Sequence, residues 1–150
     1  MSDAATRIQN LVHRYAELIA LGDFDALGRL LGRAEVGSGD HPGTLTGPDA
    51  LTAMFTSTTR RYEDGTPRTK HVTTNCIIET DEDAGTASCR SYFTVLQAVP
   101  DLPLQPIVAG RYHDRFVRKD GEWRFAERRF FIDLVGDVSQ HQLVPLPSTD

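Results

Sequence analysis

The chain has 150 residues, a length that suits one domain with a single core. Its 39% hydrophobic and 25% charged content is ordinary for a globular protein. A net charge of −5 argues against a general nucleic-acid binder, which shows a basic patch, and no stretch nears the ~18 apolar residues of a membrane span.

The opening "MSDAATRIQN" lacks the apolar core of a signal peptide, so a cytoplasmic protein without membrane contact is expected. In "RIQNLVHRYAELIALG", apolar side chains at Ile8, Leu11, Val12, Tyr15, Leu18 and Ile19 form the stripe of an amphipathic helix. Gly22 suits its end, and Asp23 caps a second helix, "FDALGRLL". A short strand near Ala34–Val36 precedes a loop rich in glycine and proline, "GSGDHPGTLTG". Pro48 fits the first position of a third helix, "PDALTAMFTSTTRRY", with Leu51, Met54 and Phe55 apolar.

The remainder reads as β. The strands are "KHVTTNCIIET", "TASCRSYFTVLQAV", "IVAGRYHDRFVR" and "WRFAERRFFIDLV", with "DEDAG" and "KDGE" as turns. "PDLPLQP" carries three prolines and predicts a protruding loop or bulge. From Gly136 on, a tail containing Pro145 and Pro147 is expected to be loose or docked on a neighbour. The two cysteines, Cys76 and Cys89, lack metal or dithiol spacing and read as buried thiols that a hairpin could bring close. His13, His41 and His141 have no partner at metal-ligand spacing, so no metal site is read. Helices first and a run of long strands after them make an α+β domain, a set of N-terminal helices packed on a curved antiparallel sheet.

"YAELIALGDFDAL", "GPDAL", "TKHVTTN" and "GRYHDRFVRKDGEWRFAERR", in this order and spacing, resemble the SnoaL-like branch of the nuclear transport factor 2-like superfamily. The resemblance spans most of residues 5–135 of a single domain covering 1–150, with 136–150 as its tail. It implies a cone-shaped barrel around an apolar pocket, assembled as a homodimer or homotrimer. It also implies a small-molecule ligand and no cofactor. Members range from scytalone dehydratase, dehydrochlorinases and polyketide cyclases to the small subunits of ring-hydroxylating dioxygenases, so the fold alone assigns no reaction.

In the dehydratase and dehydrochlorinase members the base is a histidine matching His71. An aspartate three residues before the cap of the second helix orients it. With Asp23 as that cap, the matching position is Ala20, and the carboxylate is missing. A carboxylate partner fixes the imidazole tautomer and stabilises the imidazolium; its loss in serine proteases costs about 10⁴ in rate. Asp114 is the candidate replacement, because alternation turns it inward.

The same alternation puts Thr73 and Asn75 on the face of His71, and Val108, Gly110 and Asp114 on that of Tyr112. The resemblance places Tyr112 and Arg128 toward the pocket, with Ala126, Phe130 and Ile132 in phase with Arg128. For the preceding strand Tyr92 is the candidate, with Phe93 the alternative one register away. Tyr15, Val36 and Met54 complete the expected lining. His71, Tyr112 and Arg128 are thus the candidate catalytic residues. Tyr15, Val36, Met54, Thr73, Asn75, Tyr92, Val108, Asp114 and Phe130 are the candidate substrate contacts. An Arg128–Asp114 ion pair that shapes the core stands beside an arginine that holds an anionic substrate group. Arg111, His113, Arg115, Glu127, Arg129 and Asp133 point outward, with the mixed charge expected of a subunit interface. Three functions remain open. They are a cofactor-free lyase or isomerase using His71, a ligand-binding protein without chemistry, and a structural subunit like the dioxygenase small chain.

Overall fold

A computed structural model describes the fold over residues 3–146. Helix α1 spans Ala4–Leu21, α2 Phe24–Leu31 and α3 Pro48–Thr58. Strands β1 to β5 span Glu35–Ser38, Thr69–Asp81, Thr86–Val99, Leu102–Lys119 and Glu122–Val135. The helix signals act as their chemistry dictates. Asp23 accepts from the Ala26 N–H at 3.0 Å, and Pro48 opens α3 where no donor is needed. Gly22 ends α1 at φ 72°, with its N–H on the Ile19 carbonyl. A side chain there would also strike the Gly65 backbone, so the turn is tight on two counts. No helix among the described residues is long and apolar enough to cross a membrane.

The five strands form one open sheet in the order β1-β5-β4-β3-β2. Its four long strands are joined as antiparallel neighbours, but β1 pairs parallel with β5, through Glu35↔Glu127 to Ser38↔Phe130. The expected antiparallel sheet is therefore mixed, and the expected barrel does not close. The chain enters β1 from α2, so the strand runs beside β5 in the same direction. Asp120 (φ 52°) and Gly121 (φ 80°) make the tight β4–β5 turn, the left-handed pair that matches strand twist.

The three helices pack on one face of the sheet, and the core lies between. Ile8, Val12, Leu27, Leu31 and Leu51 meet Cys89, Phe116 and Phe125 there. On the opposite face charges pair within the chain. Arg111 forks onto Asp133 at 2.9 and 3.1 Å, and Arg115 meets Glu127 at 3.2 Å. Arg129 donates to the Gly39 and His41 carbonyls, both at 2.9 Å.

The three prolines give the bulge of the two expected outcomes rather than a protruding loop. Pro100 lies in the short β3–β4 turn, while Pro103 and Pro106 lie within β4 itself, opposite register shifts in β3. Proline is tolerated because β5 pairs with β4 only from Val108 onward and Gly136 donates to the Ile107 carbonyl, which leaves the β5-side flank of residues 102–106 open.

Over residues 136–146 the tail is not loose but returns onto its own chain. Arg60 donates to the His141 carbonyl at 2.8 Å and Leu143 to that of Thr58 at 2.9 Å. Tyr62 bonds the Gln140 carbonyl through its hydroxyl. Buried Gln97 donates to the Pro67 and Gln140 carbonyls at 3.2 and 3.1 Å. This C-terminal strap borders the cavity described below. Pro147 lies outside the described residues.

Candidate functional site

Between helices, sheet and strap lies a cavity of about 310 Å³. Its wall combines Tyr15, Ile19, Val36, Met54 and Phe55 from the first half of the chain with Phe93, Val95, Val108 and Phe130 from the sheet. The strap contributes His141, Gln142, Val144, Pro145 and Leu146. A cavity of ~150 Å³ holds one benzene ring, so this one has room for about two.

One wall is a run of flat groups across four strands. His71 of β2 lies parallel to Phe93 of β3 with ring centroids 6.4 Å apart, and Phe93 stacks on Tyr112 of β4 at 4.5 Å. The Arg128 guanidinium of β5 sits 3.7 Å over Tyr112 and 4.2 Å over Tyr15. The run steps diagonally across the sheet, since His71 faces Val95, Phe93 faces Gly110 and Tyr112 faces Phe130 in the registers, and diagonal inward neighbours lie within reach of long and aromatic side chains.

Arg128 and Asp114 form a buried bidentate pair, 2.8 Å in both bonds, with side chains 1% and 0% exposed. Burial pulls the guanidinium toward neutrality, but the Asp114 charge and hydrogen bonds outweigh it, and the arginine is held protonated. The ion pair thus shapes the floor, and Asp114 is committed to Arg128 rather than to His71. Arg128 Nη1 is buried with no partner. Burial raises the Tyr15 and Tyr112 hydroxyls above their ordinary value, opposed by Arg128, so both stay protonated phenols.

His71 is half-buried as a residue, yet its Nδ1 is sealed from solvent and unpartnered. Burial lowers its pKa to about 3, with His141 and Arg128 adding to the shift. The ring is neutral at pH 7, able to exchange hydrogen bonds but weak as a base. His141, on the strap, is 4% exposed, its Nδ1 is likewise unpartnered, and burial lowers it to about 4.

His71 also borders a groove outside the cavity, between α1 and β2, together with His13, Glu17, Ala20, Lys70 and Thr73. Ala20 thus lies along the same groove as the imidazole.

Of the expected contacts, Tyr15, Val36, Met54, Val108 and Phe130 line the cavity, with His71, Tyr112 and Arg128. Four differ. Thr73 borders the outer groove. Asn75 is exposed at φ 57°, in a bulge where β2 slips register between Thr74 and Ile77, so alternation carried past it fails. Tyr92 points outward, 53% exposed, and Phe93 takes the inward place. Asp114 lies beneath the lining, held by Arg128. Ala126 also departs from its expected phase. It falls at a second bulge, where Phe116 pairs with Phe125 after Arg115 pairs with Glu127, and Phe125 is the buried residue. The strap contacts carried no periodicity in the sequence. The apolar run from Leu143 to Leu146 is no guide either, since Leu143 and Val144 stay exposed.

Cys76 and Cys89 are free thiols on β2 and β3. Burial raises both, Cys89 to about 12, so neither is a reactive thiolate at neutral pH. Among the described residues no three His, Cys, Asp or Glu side chains gather as a metal site.

The fold recurs in solved structures. Rv3472, a protein of unknown function from Mycobacterium tuberculosis, is 25% identical with a TM-score of 0.70, over 87% of this chain and 72% of that one. An NTF2-like protein with a cystatin-like fold from Novosphingobium aromaticivorans is 20% identical with a TM-score of 0.69, over 91% and 85%. A candidate scytalone dehydratase from the same organism is 21% identical with a TM-score of 0.67, over 89% and 86%. The latter two share the fold. No curated protein matches the chain in sequence. Residues 1–129 match the model of the SnoaL-like domain, and with that match, on a mixed sheet cupping three helices, the chain belongs to the SnoaL-like family.

Proposed function

We propose that the cone holds a small, uncharged aromatic or hydrophobic molecule. The carrying observation is the cavity of about 310 Å³ with a wall of parallel rings. A pocket of this size with few polar groups is the common form of a small-molecule site. Its one strong cation is already neutralised by Asp114, and both histidines are neutral, so a charged ligand would be desolvated without a counter-charge. Titration of the protein with naphthalene by calorimetry tests this. Binding is expected in the wild type and about tenfold or more weaker in Val108→Trp, which fills the space with an indole. A wild-type protein that takes up no naphthalene would overturn the reading.

A cofactor-free lyase or isomerase is the second reading, after the dehydratase for which one structural relative is named. An unprotonated imidazole at the cavity wall favours it, and Ala20 on α1 borders the same groove as that ring. Ala20→Asp is expected to raise the His71 pKa by about 1–3 units through an opposite charge, read by NMR titration of the imidazole. With the base so restored, elimination from a hydroxylated or halogenated ring compound should rise above the wild-type rate. An unmoved pKa would remove Ala20 from the site, and an unmoved rate would leave binding as the function.

A further inference from the structure

Neither cavity imidazole has a hydrogen-bond partner among the described residues. For His71 the resemblance offers an origin, the carboxylate missing at Ala20, which borders the same groove. For His141 it has no such origin, because nothing in the packing of the strap calls for an imidazole there. The strap is tied down by backbone bonds, from Arg60 to the His141 carbonyl and from Leu143 to that of Thr58. Any residue supplies those. An apolar side chain would fill the same buried position without the cost of burying a polar ring. A polar ring 4% exposed that borders the cavity and bonds no other side chain or backbone group among the described residues has instead the form of a binding contact.

We propose that His141 is a second polar anchor for the ligand, so that a hydroxyl on the bound molecule is held between the imidazoles of His71 and His141. This rests on the binding reading above. A neutral imidazole carries one N–H and one lone pair. With Nδ1 of each ring sealed, each Nε2 is the nitrogen left for a bound molecule, as donor in one tautomer and acceptor in the other. A hydroxyl both donates and accepts, so it satisfies one ring in each tautomer at once. A ketone accepts only and would leave one ring unpaired. A carboxylate would satisfy two donors but bring a buried charge beside the neutralised Arg128. The preferred class is therefore an uncharged phenol or enol. The strap adds specificity for the hydroxyl as well as closure.

The test compares naphthalene with 2-naphthol on the wild type, His71→Phe, His141→Phe and His141→Gln, by calorimetry. Wild type is expected to prefer 2-naphthol by about tenfold. His141→Phe should lose most of that preference, read as the ratio of the two affinities within the same protein, and His141→Gln should regain part of it. In the wild type, the ¹⁵N resonances of the His141 ring should move with 2-naphthol and stay fixed with naphthalene. That spectrum decides the question even if His141→Phe releases the strap. Equal affinity for the two probes, an undiminished preference in His141→Phe, or unmoved His141 resonances would overturn the assignment and leave the pocket reading standing. Failure of both probes to bind the wild type would overturn the pocket reading and this one with it.

Discussion

Asp114→Ala is expected to lower the free energy of unfolding by about 3–5 kcal/mol, as measured by urea denaturation. The size follows from what is left behind. Arg128 is 1% exposed, and its guanidinium is wedged between Tyr15 and Tyr112. It cannot shed its proton to escape the apolar surroundings, since arginine stays charged in proteins. With both Asp114 oxygens gone, two N–H groups that now bond at 2.8 Å would join Nη1 in having no partner. The pair as a unit is worth far less than its rupture, because bringing both charges out of water offsets their attraction. Asp114→Leu combined with Arg128→Met should accordingly recover most of the loss. A single-variant loss under about 1 kcal/mol would mean that water reaches the pair.

Acidification is the second large effect. His71 and His141 have pKa values of about 3 and about 4 in the fold, against about 6.5 for an exposed imidazole. The unfolded chain therefore binds more protons than the folded one as pH falls below 6.5, and protons pull the equilibrium toward unfolding. Stability is full above that pH and is lost downward, by about 1.4 kcal/mol per pH unit for each histidine. The His141 share ends near pH 4 and that of His71 near pH 3. Urea midpoints measured from pH 7.5 to 4.5 should fall steeply in the wild type and less in His141→Phe. Matching slopes in the two proteins would show that the strap histidine is not buried in solution.

The helices and their ends were legible because each depends on local chemistry: a stripe of apolar residues, the Asp23 cap, the Gly22 stop, Pro48 at an N-terminus. The strands were legible as strands for the same reason. What alternation could not follow was a bulge, since one extra residue reverses every later inward position. Asn75 and Ala126 were both misplaced this way. The Tyr92–Phe93 choice was a register question that only the pairing of β3 with its neighbours could answer. The parallel β1–β5 pairing is non-local and left no mark on four residues of sequence. The strap was hidden most fully. Its contacts with Thr58, Arg60, Tyr62 and Gln97 reach far back along the chain, while its own residues show neither helix nor strand periodicity. So the floor and wall of the site were readable, and its cover was not.

The flank of β4 that β5 does not cover bears on solubility, for there the strand is bonded to β3 on one side only. Residues 102–106 project beyond β5, and they include Leu104 at 71% exposure. A bare strand edge of this kind is a template on which another molecule can extend the sheet, the first step toward aggregates. Pro103 and Pro106 flank that leucine and lack the N–H groups a recruited strand would bind, so the overhang resists edge-to-edge association despite its greasy tip.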